Sequence, residues 1–275
     1  MNNAKKSKLT ALLNAPYIVW AAIFIVVPLI IVVYYAFTDA GGAFTFDNIL
    51  AIGDYMYTFG ISILYSLIAT AITLVVAYPF AYCMSKTSVS SQKMQMMLVM
   101  LPMWMNLLIR TYSWMNILER NGLINSFFGL FGLGPYKLIG TPGAVILGMV
   151  YNYLPYMILP IYTVMAKIDP SLLEAAEDLG CSFSQKLKRL ILPLSLPGVV
   201  SGIAMVFVPS VSTFYISQKL GGGKVMLIGD AIERQIQTSY NYNLGASLSL
   251  VLMVMILISM AVMNKFSDAD GGVVV

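Results

Sequence analysis

Asp169-Pro170-Ser171-Leu172-Leu173-Glu174-Ala175-Ala176-Glu177-Asp178-Leu179-Gly180 is a polar, well-punctuated island in an otherwise apolar chain. The Asp169 carboxylate can accept from the first free N–H groups of a helix, and Pro170 suits the first helical position, where no donor is needed. Gly180 suits the left-handed residue that ends a helix. Leu172, Leu173, Ala176 and Leu179 recur at helical spacing and predict a narrow apolar face, with Glu174, Glu177 and Asp178 adding negative charge. A second, basic amphipathic turn, Ser182 to Arg189, follows, and Leu190-Ile191-Leu192-Pro193 leads into the next apolar run. Such a segment is either a connector lying on lipid headgroups or a handle for a partner.

The surroundings settle the class. The chain has 275 residues, 59% hydrophobic and only 10% charged, with mean hydropathy +0.82. That is the composition of an integral membrane protein. The net charge of +4 is small and its basic residues are scattered, so no nucleic-acid partner is expected. With no His at all, and only Cys83 and Cys181, imidazole general-base chemistry and Cys-rich metal clusters are absent; no metal site is expected, and both thiols are expected to be free.

Six apolar runs are long enough to cross ~30 Å of hydrocarbon at about 20 residues each. They lie near 17–37, 61–84, 94–114, 143–165, 196–217 and 244–263, within one transmembrane domain over 1–275. Lys5, Lys6, Lys8, Lys86, Lys93, Lys167, Lys186, Lys188, Arg189 and Lys265 all fall on one side of that arrangement, ten of the sixteen Lys and Arg. The positive-inside rule makes that side cytoplasmic, so both termini and the 167–193 loop are expected inside. The first run is too long for a cleaved signal and ends in Tyr34-Tyr35-Ala36-Phe37, which reads as a retained anchor. Pro28, Pro79, Pro102, Pro155, Pro160 and Pro209 predict kinks.

Outside, the 38–60 loop carries Asp39, Asp47 and Asp54 and no basic residue, an ordinary solvated loop or a weakly cation-attracting vestibule. The 116–142 segment, with its Gly and Pro pairs around Phe127 and Phe128, reads as turns flanking a short interfacial helix. Gly221-Gly222-Gly223-Lys224 lacks the rest of a phosphate-binding loop and is not read as a nucleotide site.

Polar groups inside a membrane are costly and are the default functional candidates. Asn106, Arg110 and Trp114 recur at i, i+4 and i+8. Arg110 lies about 25 Å along a continuous helix from Lys93, near the outer interface, where it either anchors with Tyr112 or meets substrate. Tyr151, Asn152, Tyr153 and Tyr156 form one polar aromatic cluster, and Phe214 and Tyr215 follow Ser210, Ser212 and Thr213. Aromatic faces attract cationic amines by ~0.5–2 kcal/mol each. The candidate pathway is therefore Trp104, Asn106, Arg110, Tyr112, Asn152, Tyr153, Phe214 and Tyr215. No carboxylate sits mid-span, so a proton- or sodium-driven carrier is disfavoured and the energy source is expected in a partner.

Glu174-Ala175-Ala176, three residues, Gly180, nine residues, Leu190, one residue and Leu192-Pro193 resembles the EAA loop of ABC importer permeases, with Leu190 in place of the usual Ile. The resemblance implies an all-α, six-span, type I (MetI-like) permease fold with both termini cytoplasmic. It also implies that Leu172, Glu174, Ala175, Ala176, Asp178, Gly180, Leu192 and Pro193 couple to an ATP-hydrolysing subunit. Leu108-Ile109-Arg110-Thr111-Tyr112, the 153–162 run from Tyr153-Leu154-Pro155-Tyr156 to Ile161-Tyr162, and Phe214-Tyr215-Ile216-Ser217 with Gly221-Gly222 further resemble the PotB-type permeases of spermidine/putrescine ABC transporters. The implied machine is a polyamine importer in a prokaryotic cytoplasmic membrane. It would hold a second permease, two ATPase subunits carrying ATP and Mg, and an extracytoplasmic binding protein, this chain being no enzyme and holding no cofactor. The alternatives are the same machine for another small solute, a membrane enzyme, for which no catalytic constellation is visible, and a scaffold without transport.

Overall fold

The structure, a computed structural model, describes residues 16–270. Lys5, Lys6 and Lys8, which contribute to the orientation reading, and the 271–275 end lie outside the described residues.

Every regular element among the described residues is helical. In chain order they are α1 (Pro16–Ala36), α2 (Met56–Ser85), α3 (Val89–Trp104), α4 (Leu107–Leu118), α5 (Leu123–Gly129), α6 (Pro142–Met165), α7 (Pro170–Asp178), α8 (Phe183–Ser212), α9 (Tyr215–Leu220), α10 (Ile228–Gln237) and α11 (Tyr242–Asp270). A short turn pair, Asp47–Leu50 and Ala51–Tyr55, runs straight into α2. Five stretches are long and apolar enough to cross a membrane: Pro16–Ala36, Asp47–Ser85, Pro142–Met165, Phe183–Ser212 and Tyr242–Met263.

The run expected to cross at 94–114 is not one helix. Pro102, near the end of α3, lacks the N–H that would continue the ladder, and Met105 turns extended (φ −78°, ψ 144°). Asn106 then caps a new helix, its Oδ1 accepting from the Leu108 N–H at 2.7 Å. The run expected over 196–217 likewise stops at Ser212, because Thr213 is extended, and Phe214 and Tyr215 belong to the start of α9.

The chain forms two compact units. One joins residues 16–56 to Ile232–Val254. Within it the Asn243 amide donates to the carbonyls of Thr38 (2.6 Å) and Tyr35 (3.1 Å), and the Ser247 hydroxyl to that of Ala36 (3.1 Å). These bonds tie the loop end of α1 to the first turn of α11.

The second unit joins Tyr57–Ala231 to residues 255–270 and holds the candidate site. In lipid there is little hydrophobic drive between helices, so close backbone approach and internal hydrogen bonds must hold them. The sequence supplies both. Between Phe59 and Met84 the buried residues of α2 are Ser62, Ser66, Ala69, Thr70, Thr73, Ala77 and Ala81, all small, and Ser62, Thr70 and Thr73 return their hydroxyl protons to the carbonyl four residues back at 2.6–2.7 Å. Helices α6 and α8 pack along their lengths through Gly198 and Gly202. A Cβ on Gly198 would stand 2.8 Å from the Pro160 carbonyl oxygen, and one on Gly202 2.6 Å from the Met157 sulfur. Two apolar clusters follow. The first joins Ala77, Ala81 and Met84 of α2 to Met157, Ile158, Ile161 and Met165 of α6 and Ile191 and Val206 of α8. The second joins Ala69 to Leu118, to Val145 and Met149 of α6, and to Ile216 and Leu220 of α9. Opposite ends of α6 thus serve opposite ends of the unit.

Candidate coupling helix and candidate transport surface

At the Met165 end of α6, four helix ends meet. The Tyr162 hydroxyl donates to Gln92 of α3 at 2.9 Å, Tyr78 and Ser195 hydroxyls are bonded at 2.9 Å, and the Tyr82 and Phe183 rings meet edge to face. Lys86, Lys93, Lys167, Lys186, Lys188 and Arg189 all belong to the segments or helix ends gathered here.

Helix α7 sits at this end and is finished at both termini by its own residues. Asp169 Oδ1 accepts from the Ser171 N–H at 2.9 Å, and Pro170 occupies the first position. At the other end Gly180 takes φ +73°, letting the Cys181 N–H reach the Ala176 carbonyl (3.0 Å) and the Gly180 N–H that of Glu177 (2.8 Å). This double closure is the Schellman arrangement. Ser182 and Gln185 cap α8 reciprocally. Pro193 cannot donate to Arg189, and the ladder there widens into a π turn over Leu187–Ile191 in which the Leu192 N–H reaches back to Leu187.

The apolar residues of α7 do not all face one way. Leu173 packs against the first cluster and Ala176 is half-buried, whereas Leu172 and Leu179 are exposed, Leu179 to 84%. Leu172, Ala175 and Leu179, at i, i+3 and i+7, form an outward apolar stripe beside the exposed Glu174 and Asp178. Glu177 pairs with Lys186, which holds its carboxyl below the usual carboxylate range, and the Ser171 backbone N–H does the same for Asp169. Gly180, Leu192 and Pro193 are exposed too. Cys83 and Cys181 are free thiols.

Toward the Pro142 end of α6, the candidate pathway residues divide. Tyr112 and Tyr215 come together, ring centroids 6.4 Å apart at 76°, with the Lys219 ammonium over both, 5.3 Å from Tyr112 and 5.7 Å from Tyr215. Trp114 meets Tyr151 edge to face at 5.2 Å, and Tyr153 lies 6.4 Å from Tyr156. The Tyr153 hydroxyl donates to the Pro209 carbonyl at 3.3 Å, closing one of the open carbonyls at the end of α8. Asn152 is buried; its amide donates to Gly148 at 2.8 Å while its Oδ1 has no partner. Asn106 is spent on capping α4, and Trp104, 74% exposed at the end of α3, joins none of these groups.

Arg110 is the surprise. The break at Met105 voids the depth arithmetic that placed it at an interface, and its side chain is only 9% exposed, with Nε and Nη1 enclosed and unpartnered. It is neither a snorkelling anchor nor half of an ion pair within the described residues. Lys219 escaped the sequence reading, although its place four residues after Tyr215 puts both on one face of α9. Asp230, buried in α10 and accepting from the Leu227 N–H at 2.8 Å, was also passed over because it lies outside the long runs.

Comparison with known proteins agrees with this architecture. Residues 92–269 match the family described as the inner membrane component of binding-protein-dependent transport systems. The spermidine/putrescine transport system permease protein PotB of Haemophilus influenzae is 37% identical over 232 residues, 81% of each chain, and that of Escherichia coli K12 is 36% identical over 226 residues, 78% of this chain and 82% of that one. A bacterial ABC transporter that imports the acidic polysaccharide alginate has a chain of the same fold, with TM-score 0.78 over 96% of both chains at 18% identity. A second structure of a bacterial alginate ABC transporter, in complex with an alginate pentasaccharide-bound periplasmic protein, superposes with TM-score 0.77. The chain is thus an all-helical, multi-pass inner-membrane permease subunit of the MetI-like ABC importer fold rather than an enzyme, and it belongs to the family of inner membrane components of binding-protein-dependent transport systems.

Proposed function

We propose that this chain is one of two paired permeases of an ATP-driven importer for di- and polyamines. Two cytoplasmic ATPases hold ATP and Mg, and an extracytoplasmic protein delivers the amine. The observation that carries the substrate class is the likeness to the spermidine/putrescine permeases over four fifths of the chain. Helix α7, with Leu172, Ala175 and Leu179 outward beside Glu174, is the knob that enters an ATPase cleft; Gly180 ends it and the π turn before Leu192-Pro193 hinges it to α8. The gathering of Lys86, Lys93, Lys167, Lys186, Lys188 and Arg189 at the same end supports a cytoplasmic position for it by the positive-inside rule. The broken pair α3 and α4 supplies the sixth crossing; its interruption at Met105 and Asn106 is exposed in this chain, and on this reading another subunit covers it, as lipid requires.

The pathway residues support a shared conduit. Trp104, Tyr112 and Phe214 are 74%, 43% and 42% exposed, which fits a surface that another subunit completes, although Trp104 stands apart from the other two. ATP binding closes the ATPases, carries the paired coupling helices together and opens the conduit toward the binding protein. A polycation alone does not explain the buried Arg110, and on this reading its counter-charge is a carboxylate of the second permease. Uptake of labelled putrescine and spermidine into proteoliposomes holding the four-subunit complex, with and without this chain, tests the proposal. ATP-dependent uptake of either amine only when the chain is present is the expected result; uptake of another solute with indifference to both amines overturns it.

A further inference from the structure

The Lys219 ammonium makes none of the ion pairs among the described residues; it lies over the two rings of Tyr112 and Tyr215 at 5.3 and 5.7 Å. Two phenol faces at 76° around one ammonium form a cage of the kind that holds a ligand amine by cation–π attraction. The two walls come from different helices, α4 and α9, that pack on each other and on α6. Tyr112 is 43% exposed and Tyr215 and Lys219 half-exposed, so the cage opens on the surface that also carries Phe214. The occupant is chemically telling. A lysine side chain is a four-carbon stem ending in an ammonium, which is one end of a diaminobutane.

We propose that Tyr112 and Tyr215 form a binding site for the alkylammonium end of the transported amine, and that Lys219 is a built-in substitute that occupies the site when substrate is absent. This rests on the polyamine reading above and deepens it. The tether gives the lysine a high effective concentration at the cage, so an arriving amine is held only while it out-competes that side chain. A transport site has to release what it binds, and conduction favours sites weak enough to leave. Return of the Lys219 ammonium between the rings expels the substrate amine by competition and by like-charge repulsion, and it keeps the cage from standing empty against lipid or solvent between cycles. Nothing covalent is involved; one ammonium exchanges for another on the same two faces.

The test is initial uptake of labelled putrescine into proteoliposomes containing the whole four-subunit complex, at limiting concentration of putrescine-loaded binding protein. Correct assembly of each variant is checked by size-exclusion of the purified complex. Lys219→Met keeps the stem and removes the competing charge, and uptake is expected to rise about threefold; Tyr112→Leu and Tyr215→Leu are expected to lower it roughly tenfold, the range of one lost cation–π contact. In the double variant K219M/Y112L the gain disappears, because the charge no longer competes for anything. Uptake by K219M at or below wild type, or wild-type uptake in both tyrosine variants, overturns the inference. A wild-type complex that takes up neither putrescine nor spermidine defeats the substrate reading instead, so the two failures are distinguishable.

Discussion

The two ends of α6 are built on opposite principles. At the α7 end both termini of α7 and the start of α8 are closed by neighbours in sequence, Asp169 on Ser171, Gly180 and Cys181 on Glu177 and Ala176, and Ser182 on Gln185, and Glu177 pairs with Lys186 nine residues away. At the α4–α9 end, polar groups stand enclosed without partners, Arg110 through Nε and Nη1 and Asn152 through Oδ1, and large aromatic faces remain exposed. In the first region the helix ends are satisfied by their own loop, and what it leaves uncovered is the apolar stripe of Leu172, Ala175 and Leu179. On the reading proposed above, the second is one half of a shared conduit, and its unmet polar atoms are where the other half would act. On that reading, a force-transmitting joint has to keep its shape while its surroundings change, whereas a conduit between two subunits has no reason to satisfy itself alone.

The largest effect expected from breaking this contrast is at Glu174. Because the caps of α7 do not involve it, Glu174→Lys should leave the helix intact and act only on the partner surface. Reversing a charge at a docking interface, at about 3 kcal/mol, corresponds to about a hundredfold loss of transport. Stimulation of ATPase activity by loaded binding protein, measured on the same preparation as uptake, should fall in parallel. New protease cleavage between Lys167 and Lys186 in this variant would show that α7 is not self-sufficient, and the comparison would fail.

Arg110→Met attacks the other side. If the missing counter-charge comes from the second permease, the assembled complex should lose about 3–5 kcal/mol, the cost of removing one partner of a buried pair, while the isolated chain is unchanged or gains stability because an uncompensated cation has gone. Thermal unfolding of the chain alone and of the complex gives both numbers. Equal losses in the two would place the partner within this chain.

The contrast also explains what could be read in advance. The start and stop of α7 were legible because Asp169, Pro170 and Gly180 act within four residues of themselves. The break at Met105 was not, since a hydropathy run counts composition, and only the combination of Pro102 with the capping appetite of Asn106 marks it. The stop of α8 at Ser212 depends partly on Tyr153, fifty-six positions away, taking the Pro209 carbonyl, a contact no local pattern contains. Arg110 was placed at an interface by counting along a helix that turned out to be two. The aromatic candidates were listed individually, but which of them meet, Tyr112 with Tyr215 and Trp114 with Tyr151, is set by packing among α4, α6 and α9. The outward turn of Leu172 and Leu179 was missed for a related reason: an apolar stripe at helical spacing does not say whether its cover is its own chain or another.

A smaller effect tests the closure of α7 itself. Gly180 has open space around its Cα, so Gly180→Ala meets no clash, and only the left-handed φ of +73° is penalised. That penalty is roughly 1–2 kcal/mol. The expected consequence is local: faster hydrogen exchange at the Gly180 and Cys181 amides, weaker coupling, and no change in the exchange of α6 or α8. Loss spreading into α6 would mean that the joint shares its stability with the bundle.

The smallest effect is the most diagnostic of self-containment, because it titrates. The carboxyls of Asp169 and Glu177 are both held below their ordinary values, Asp169 first by the Ser171 backbone N–H and then by its hydroxyl, Glu177 by the hydrogen bond and charge of Lys186. A group whose folded value is depressed contributes stability that is fully present above its unfolded value and is lost as pH falls through the folded one. The window therefore opens below the ordinary carboxylate range, around pH 4, and extends downward. Protection of the Ser171 to Ala175 amides, corrected for intrinsic exchange, should stay flat from about pH 8 to pH 5 and fall as the pH drops from there toward about pH 2. Asp169→Asn keeps an acceptor at the cap but cannot titrate, and Glu177→Gln removes the charge that Lys186 needs. The double variant should show a shallower fall, from a lower plateau, than either single one. If its acid profile matches the wild type, the sensitivity lies in residues beyond the loop, and α7 is not the closed unit that its own hydrogen bonds describe.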